Sequence, residues 1–141
     1  MLLLLAALLL MLVGTALIAG ARWRSATEAL VARLQRTARQ VDRAVYSSDE
    51  LAALPAPVTR YLRTVLRDGQ LIPRHARIEQ RGTFAVKPDP DGWRPFTAVQ
   101  QFAARPAGFV WDARIRMAPG LGFLVRDAFL DGTGSMYGTV M

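Results

Sequence analysis

In the stretch "GFVWDARIRMAPG", Asp112, Arg114 and Arg116 occupy alternate positions. At the two-residue period of a β-strand they share one face. Guanidinium groups so aligned can grip a carboxylate or phosphate in bidentate fashion, so the trio is a candidate anion-binding site. The plainer reading is the water-facing side of a half-buried sheet, where exposed ion pairs contribute at most about 1 kcal/mol. The sequence favours that solvated face, with Arg126 or Asp127 as cross-strand partners.

Gln80 and Gln100 raise a different question, because their alternate-position rows otherwise carry Ile78, Phe84, Phe96 and Phe102. An amide on an apolar face needs a partner, since burying it unpaired is costly. Either the two pair across strands, or they orient a ligand in a cavity walled by apolar side chains. In the second case Gln80, Phe84, Phe96, Gln100, Phe102, Trp111 and Met117 form the candidate ligand site.

Other chemistries find little support. His75 lies between Arg74 and Arg77, and no nucleophile or carboxylate constellation can be tied to it. It reads as a surface histidine. "DGTGS" lacks the lysine and following helix of a phosphate loop and reads as a hairpin turn. Cysteine is absent, which excludes disulfides, thiolate metal sites and a lipid-modified cysteine. With a single histidine, neither a metal site nor a cofactor is expected, and a non-enzymatic protein is.

The elements that would position these residues begin with an uncharged run, MLLLLAALLLMLVGTALIAG. About 20 helical residues rising about 1.5 Å each cross a bilayer core. The run is read as a retained transmembrane helix or uncleaved signal anchor over residues 1–21. The competing reading is a cleaved signal peptide with Ala19-Gly20-Ala21 as the cleavage site, against which no basic residue precedes the run and its length exceeds the roughly 7–15 apolar residues of a signal core. Trp23 suits an interfacial aromatic anchor. Arg22, Arg24, Arg33, Arg36, Arg39 and Arg43 follow, so the positive-inside rule places the rest of the chain in the cytoplasm. The net charge of +7 favours anionic partners, among them membrane lipid headgroups. No nucleic-acid-binding signature accompanies it.

Residues 22–53 read as a basic juxtamembrane helical region. Ser25 and Glu28 match a capping box that would start a new helix. Val31, Leu34, Ala38, Val41 and Val45 would line one face of it, for packing or, alternatively, beside Arg side chains on anionic headgroups. Ser47 or Ser48 can cap a short turn, and Pro57 suits the first turn of a helix carrying Val58, Tyr61, Leu62, Val65 and Leu66 on one face. Gly69 is placed as its left-handed cap, and that apolar face is expected to pack on the following sheet.

From Arg77 the period becomes two. Strands around residues 77–86, 96–104, 109–117, 123–130 and 135–141, separated by "KPDPDGW", "RPAG", "APGLG" and "DGTG", make an antiparallel meander. Residues 54–141 are thus expected to form an α+β domain. It is taken to be truncated at its C-terminal end, because a five-stranded sheet under one helix is thin.

The phrases "LPAPVTRYL", "GWRPFTAVQQF", "GFVWDARIRMAPG" and "RDAFLDGTGSM", in that order over residues 54–141, resemble an uncharacterised bacterial family known only as a domain of unknown function. Its members look as though they continue into further strands, and no catalytic residues are established for it. Its layout is similar to half-barrel lipoprotein carriers, which implies a curved sheet wrapping an apolar ligand. The expectation is a membrane-anchored, non-enzymatic protein that binds an apolar or lipid-like molecule on the concave sheet face. The alternative is a structural module pairing its sheet edges with another membrane or envelope protein. An enzyme relying on Asp and Arg comes third.

Overall fold

A computed structural model describes residues 1–39 and 44–141. It begins with one unbroken helix, α1 (Leu2–Arg39). At 1.5 Å per residue, 38 residues extend about 57 Å, nearly twice a bilayer core. Its apolar first half is long and apolar enough to cross a membrane. No new helix begins at the expected capping box: Ser25 and Glu28 lie inside α1. The reason is local. Ala21 to Glu28 contains neither proline nor glycine, so nothing interrupts the ladder of a helix already nucleated upstream.

The capping box forms instead at a short 3₁₀ turn (Ser48–Leu51), where Ser47 caps the Asp49 amide and Glu50 accepts from the Ser47 amide. Helix α2 (Ala56–Val65) follows, with proline in its first turn as anticipated. It ends at Val65, so Gly69, left-handed at φ 78°, serves a later turn rather than the helix cap. Its amide bonds to the Tyr46 carbonyl, and Val45 bridges Leu71. These links close residues 44–72 into a loop of their own. They also take Val45 out of the expected helical stripe, and Val41 lies outside the described residues.

The sheet is an antiparallel meander in the order β1 (His75–Ala85), β2 (Trp93–Ala103), β3 (Gly108–Ala118), β4 (Leu121–Leu130), β5 (Thr133–Val140). Asp131 and Gly132, both at positive φ, make the two-residue β4–β5 turn, as "DGTGS" suggested. The fold is therefore α+β, as expected.

Register sorts every strand residue onto one of two faces. Arg81, Thr97, Arg114, Leu124 and Thr139 align on the first, and Gln80, Ala98, Ala113, Val125 and Gly138 on the second. Helix α1 lies on the first face. Leu34 and Ala38 seat against Ala103, Val110, Ala128 and Leu130, with Leu30 and Val31 beside them. Three of the four sheet residues are small, and Leu34 comes so near Gly108 that an added Cβ there would sit 2.9 Å from it. A helix can approach this flat floor closely. The second face carries the bulky aromatics and would hold a helix away.

One expectation is corrected by this arrangement. Helix α2 does not pack on the sheet; it buries no residue and lies against the Ser48–Leu51 turn. The stripe of α1 packs on protein at Val31, Leu34 and Ala38, the first of the two readings given for it. Because Leu34 is only 2% exposed, Leu34→Ala is expected to destabilise the chain by about 2–5 kcal/mol. Chemical unfolding in detergent, followed by circular dichroism, measures this.

Candidate functional site

Where α1 leaves its apolar run, a polar joint ties it to the sheet. Trp23 donates its indole N–H to the Asp112 carboxylate at 3.0 Å, and Thr27 donates its hydroxyl to the same group at 2.7 Å. Arg126, directly opposite Asp112 on β4, donates to the Thr27 hydroxyl and to the Trp23 carbonyl at 2.9 and 3.0 Å. Its guanidinium lies 4.5 Å from the Trp23 ring centre, and the Tyr137 and Trp23 ring centres are 5.9 Å apart. Asp112 and Arg126 are thus linked through Thr27, and their charges offset each other in a half-buried place.

This joint revises two readings of the sequence. Asp112 is not on a solvated face; it lies beneath α1 and is satisfied by it. Trp23 is 8% exposed and packed on the sheet, so it is not an interfacial anchor. Both errors share one cause: a helix from far away in the sequence packs on the charged face and recruits its polar groups. Arg114 and Arg116 share the face but remain exposed. Arg114 borders a groove of about 900 Å³ between α1 and β1–β3, whose far wall carries Arg77, Glu79 and Arg81. There a hydrogen bond from Arg77, together with its charge, holds the Glu79 carboxyl below the usual glutamate range. The candidate anion trio is therefore divided, with Asp112 in the joint and the two arginines outside it.

The second sheet face has no covering helix among the described residues. Two groups of aromatics occupy it. Phe84 meets Phe96 edge-on at 6.0 Å and Trp111 at 6.4 Å, while Phe102 meets Phe109 at 6.4 Å. Phe123 and Phe129 extend the two groups onto β4. Glycines make room for the rings: a Cβ at Gly82 would meet Phe96 at 3.3 Å, and one at Gly138 would meet Phe123 at 3.0 Å. Ala113 and Ile115 are fully buried between these neighbours although no helix lies above them.

Between the aromatic groups runs a polar band. Trp111 donates its indole N–H to the Gln80 carboxamide oxygen at 2.7 Å, and the Gln80 amide donates to Gln100 at 3.4 Å. The expected pairing of the two glutamines is present, and the indole completes it. Asp127 stands opposite Trp111 in the same cross-strand row, half-buried. Of the candidate ligand residues, Gln80, Phe84, Phe96, Gln100 and Trp111 come together, and Phe102 joins through the second aromatic group. Met117 lies beyond them, next to a register shift between Arg116 and Ala118, and is exposed.

Phe109, Phe123, Phe129 and Asp127 also belong to this face, although none was among the candidate ligand residues. The signal for Asp127 was in the sequence, an acid alternating with Phe123, Val125 and Phe129, as the glutamines alternate with apolar residues. His75 is half-buried, and its Nε2 has no hydrogen-bond partner among the described residues.

A family model, described as a family of unknown function (DUF6544), matches residues 44–141, which takes in α2 and the whole sheet but not α1. Neither the curated proteins nor the solved structures yield a match to the chain.

The joint supplies hydrogen bonds to a charged group, each contributing about 1.5–3 kcal/mol. Asp112→Ala is expected to cost about 2–3 kcal/mol, because it strands two donors and leaves Arg126 uncompensated. Trp23→Phe, which removes a single donor, is expected to cost less. A double-mutant cycle on unfolding free energies should return a coupling between the two sites.

Proposed function

The chain belongs to this family of unknown function, and we propose that it is a single-pass membrane protein whose sheet binds an apolar or lipid-like molecule without chemical conversion. The observation that carries the proposal is the uncovered aromatic face crossed by the Gln80–Gln100–Trp111 band. Exposed contiguous apolar surface on a folded domain commonly marks an interaction site. An apolar wall with a few convergent polar groups is the usual composition of a small-molecule site. Phe84, Phe96 and Phe102 would contact the apolar part of the ligand. The amides and the Asp127 carboxylate would meet a hydroxyl, amide or amine on it.

Localisation follows from the apolar half of α1 taken as a span. Arg22 and Arg24 directly after it favour a cytoplasmic sheet under the positive-inside rule. Alkaline phosphatase fused after Met141 is then expected to be inactive, and a fluorescent protein that matures only in the cytoplasm to be bright. The reverse pattern would put the sheet on the outer side.

For binding, native mass spectrometry of the full chain extracted in mild detergent is expected to show a co-purifying small molecule. Trp111→Ala removes one ring contact and one hydrogen bond, together about 1.4 kcal/mol or roughly tenfold in affinity. Titration with a fluorescent fatty-acyl probe reads this. A wild-type chain that carries nothing and does not bind the probe would overturn the reading.

One observation favours a second function. Edge strand β5 (Thr133–Val140) contains no charged residue, whereas the opposite edge, β1, carries Arg77, Glu79 and Arg81. Charges guard a sheet edge against pairing, so within the described sheet β5 is the edge suited to accept a strand from another membrane or envelope protein. Crosslinking from Ser135 would reveal that partner.

A further inference from the structure

The strands run alongside α1 in a definite direction. Near the C-terminal part of the helix, Leu34 approaches Gly108 at the start of β3. Further back, Trp23 and Thr27 hold Asp112. Further still, a Cβ at Gly20 would sit 3.7 Å from the Met141 sulfur. Met141 in turn exchanges both backbone hydrogen bonds with Gly122, at 2.7 and 2.9 Å. Thr15, Ile18 and Ala19 border the same crevice as Thr139 and Val140. The end of β5 and the start of β4 therefore lie level with the last turns of the apolar run. Gly20 to Thr15 corresponds to about 7.5 Å along the axis, comparable to the thickness of one headgroup layer.

The hairpin at that level is unlike an ordinary water-facing turn. The β3–β4 connection reads Met117-Ala118-Pro119-Gly120-Leu121, without a polar side chain, and all five residues are exposed. Met117 and Leu121 keep 40% and 47% of their surface in the open. Phe123 and Val140 are also exposed, and register puts them opposite each other beside this turn. The far end of the sheet differs: its turns are Ala104-Arg105-Pro106-Ala107 and Asp131-Gly132, and Arg33 of α1 pairs with Asp131 there. Cations at the near end, Arg22, Arg114 and Arg116, are placed to meet anionic headgroups. The acids of the near end, Asp89 and Asp91, are on the other hairpin, where Lys87 pairs with Asp89 at 2.9 Å.

We infer that the β3–β4 turn, residues 117–121, inserts into the headgroup–acyl boundary of the membrane that α1 crosses, giving the sheet a second attachment to the lipid. The inference rests on the reading of α1 as a membrane span. The turn then fixes the sheet end-on to the bilayer. The aromatic group of Phe84, Phe96 and Phe123 opens directly above the lipid surface, so an apolar ligand can pass between bilayer and sheet without crossing bulk water.

The absence of cysteine permits a direct test with single-cysteine variants of the full chain. Leu121→Cys, Pro119→Cys, Leu8→Cys and Thr133→Cys are labelled with an environment-sensitive fluorophore. Each is placed in nanodiscs of phosphatidylcholine and phosphatidylglycerol that contain lipids spin-labelled both near the headgroup end and near the methyl end of the acyl chain. The inference expects a blue shift and fluorescence loss at Leu121→Cys and Pro119→Cys comparable to those at Leu8→Cys, and neither at Thr133→Cys. Quenching at Leu8→Cys without quenching at both turn positions overturns the inference and leaves the anchor standing. No quenching at Leu8→Cys overturns the anchor itself. Quenching at Thr133→Cys as well as in the turn overturns the end-on placement, because the sheet would then lie flat.

Discussion

A helix that leaves an apolar run without a break carries the direction of that run into whatever it packs against. In this chain α1 continues from its exposed apolar half straight onto the sheet. The junction is held by two kinds of contact that do different work. The seat of Leu34 and Ala38 on Ala103, Val110, Ala128 and Leu130 supplies attraction that needs no particular geometry, a fully buried Leu contributing about 1.5–3 kcal/mol. The Trp23–Thr27–Asp112–Arg126 joint is directional. It sets the level at which the sheet hangs on the helix, because each donor must meet its acceptor within a few tenths of an ångström.

That choice of face decides what the other face is for. With α1 on the floor of small residues, the aromatic face carries no helix among the described residues. Its rings are organised by the sheet alone, as Phe96 and Phe123 fold over Gly82 and Gly138. The residues buried there, Ala113 and Ile115, are covered by neighbouring side chains, so the surface remains one packed layer thick. The polar band is satisfied internally by the indole and the two amides, which lets it persist without a ligand while retaining spare donors and acceptors.

The two sheet faces also explain why a correct reading of periodicity led to a wrong reading of exposure at Asp112. Asp112, Arg114 and Arg116 do share a face, and Phe109, Trp111, Ala113 and Ile115 share the other. Hydrophobicity suggested that the aromatic row would be covered and the charged row wet. The covering helix instead chose by shape. Val110 and the alanines at positions 103 and 128 let its axis approach, and it absorbed Asp112 by bringing Trp23 and Thr27 as donors. A carboxylate with partners supplied by the opposing element is no obstacle to burial.

The elements themselves were legible in the amino-acid order, because each depends on neighbours in the chain. The uncharged run, the proline in the first turn of α2, the Asp131–Gly132 turn and the period-two alternation from Arg77 onward all act locally. The pairing of Gln80 with Gln100 was legible as one of two alternatives, because both interrupt apolar rows on neighbouring strands. What the sequence could not decide was which face of the sheet α1 would take, that α1 would run unbroken through Ser25, or that α2 would lie away from the sheet. Those outcomes depend on how closely two surfaces far apart in the chain can approach. That is a matter of side-chain volume summed over both of them, and only the assembled tertiary structure performs the sum.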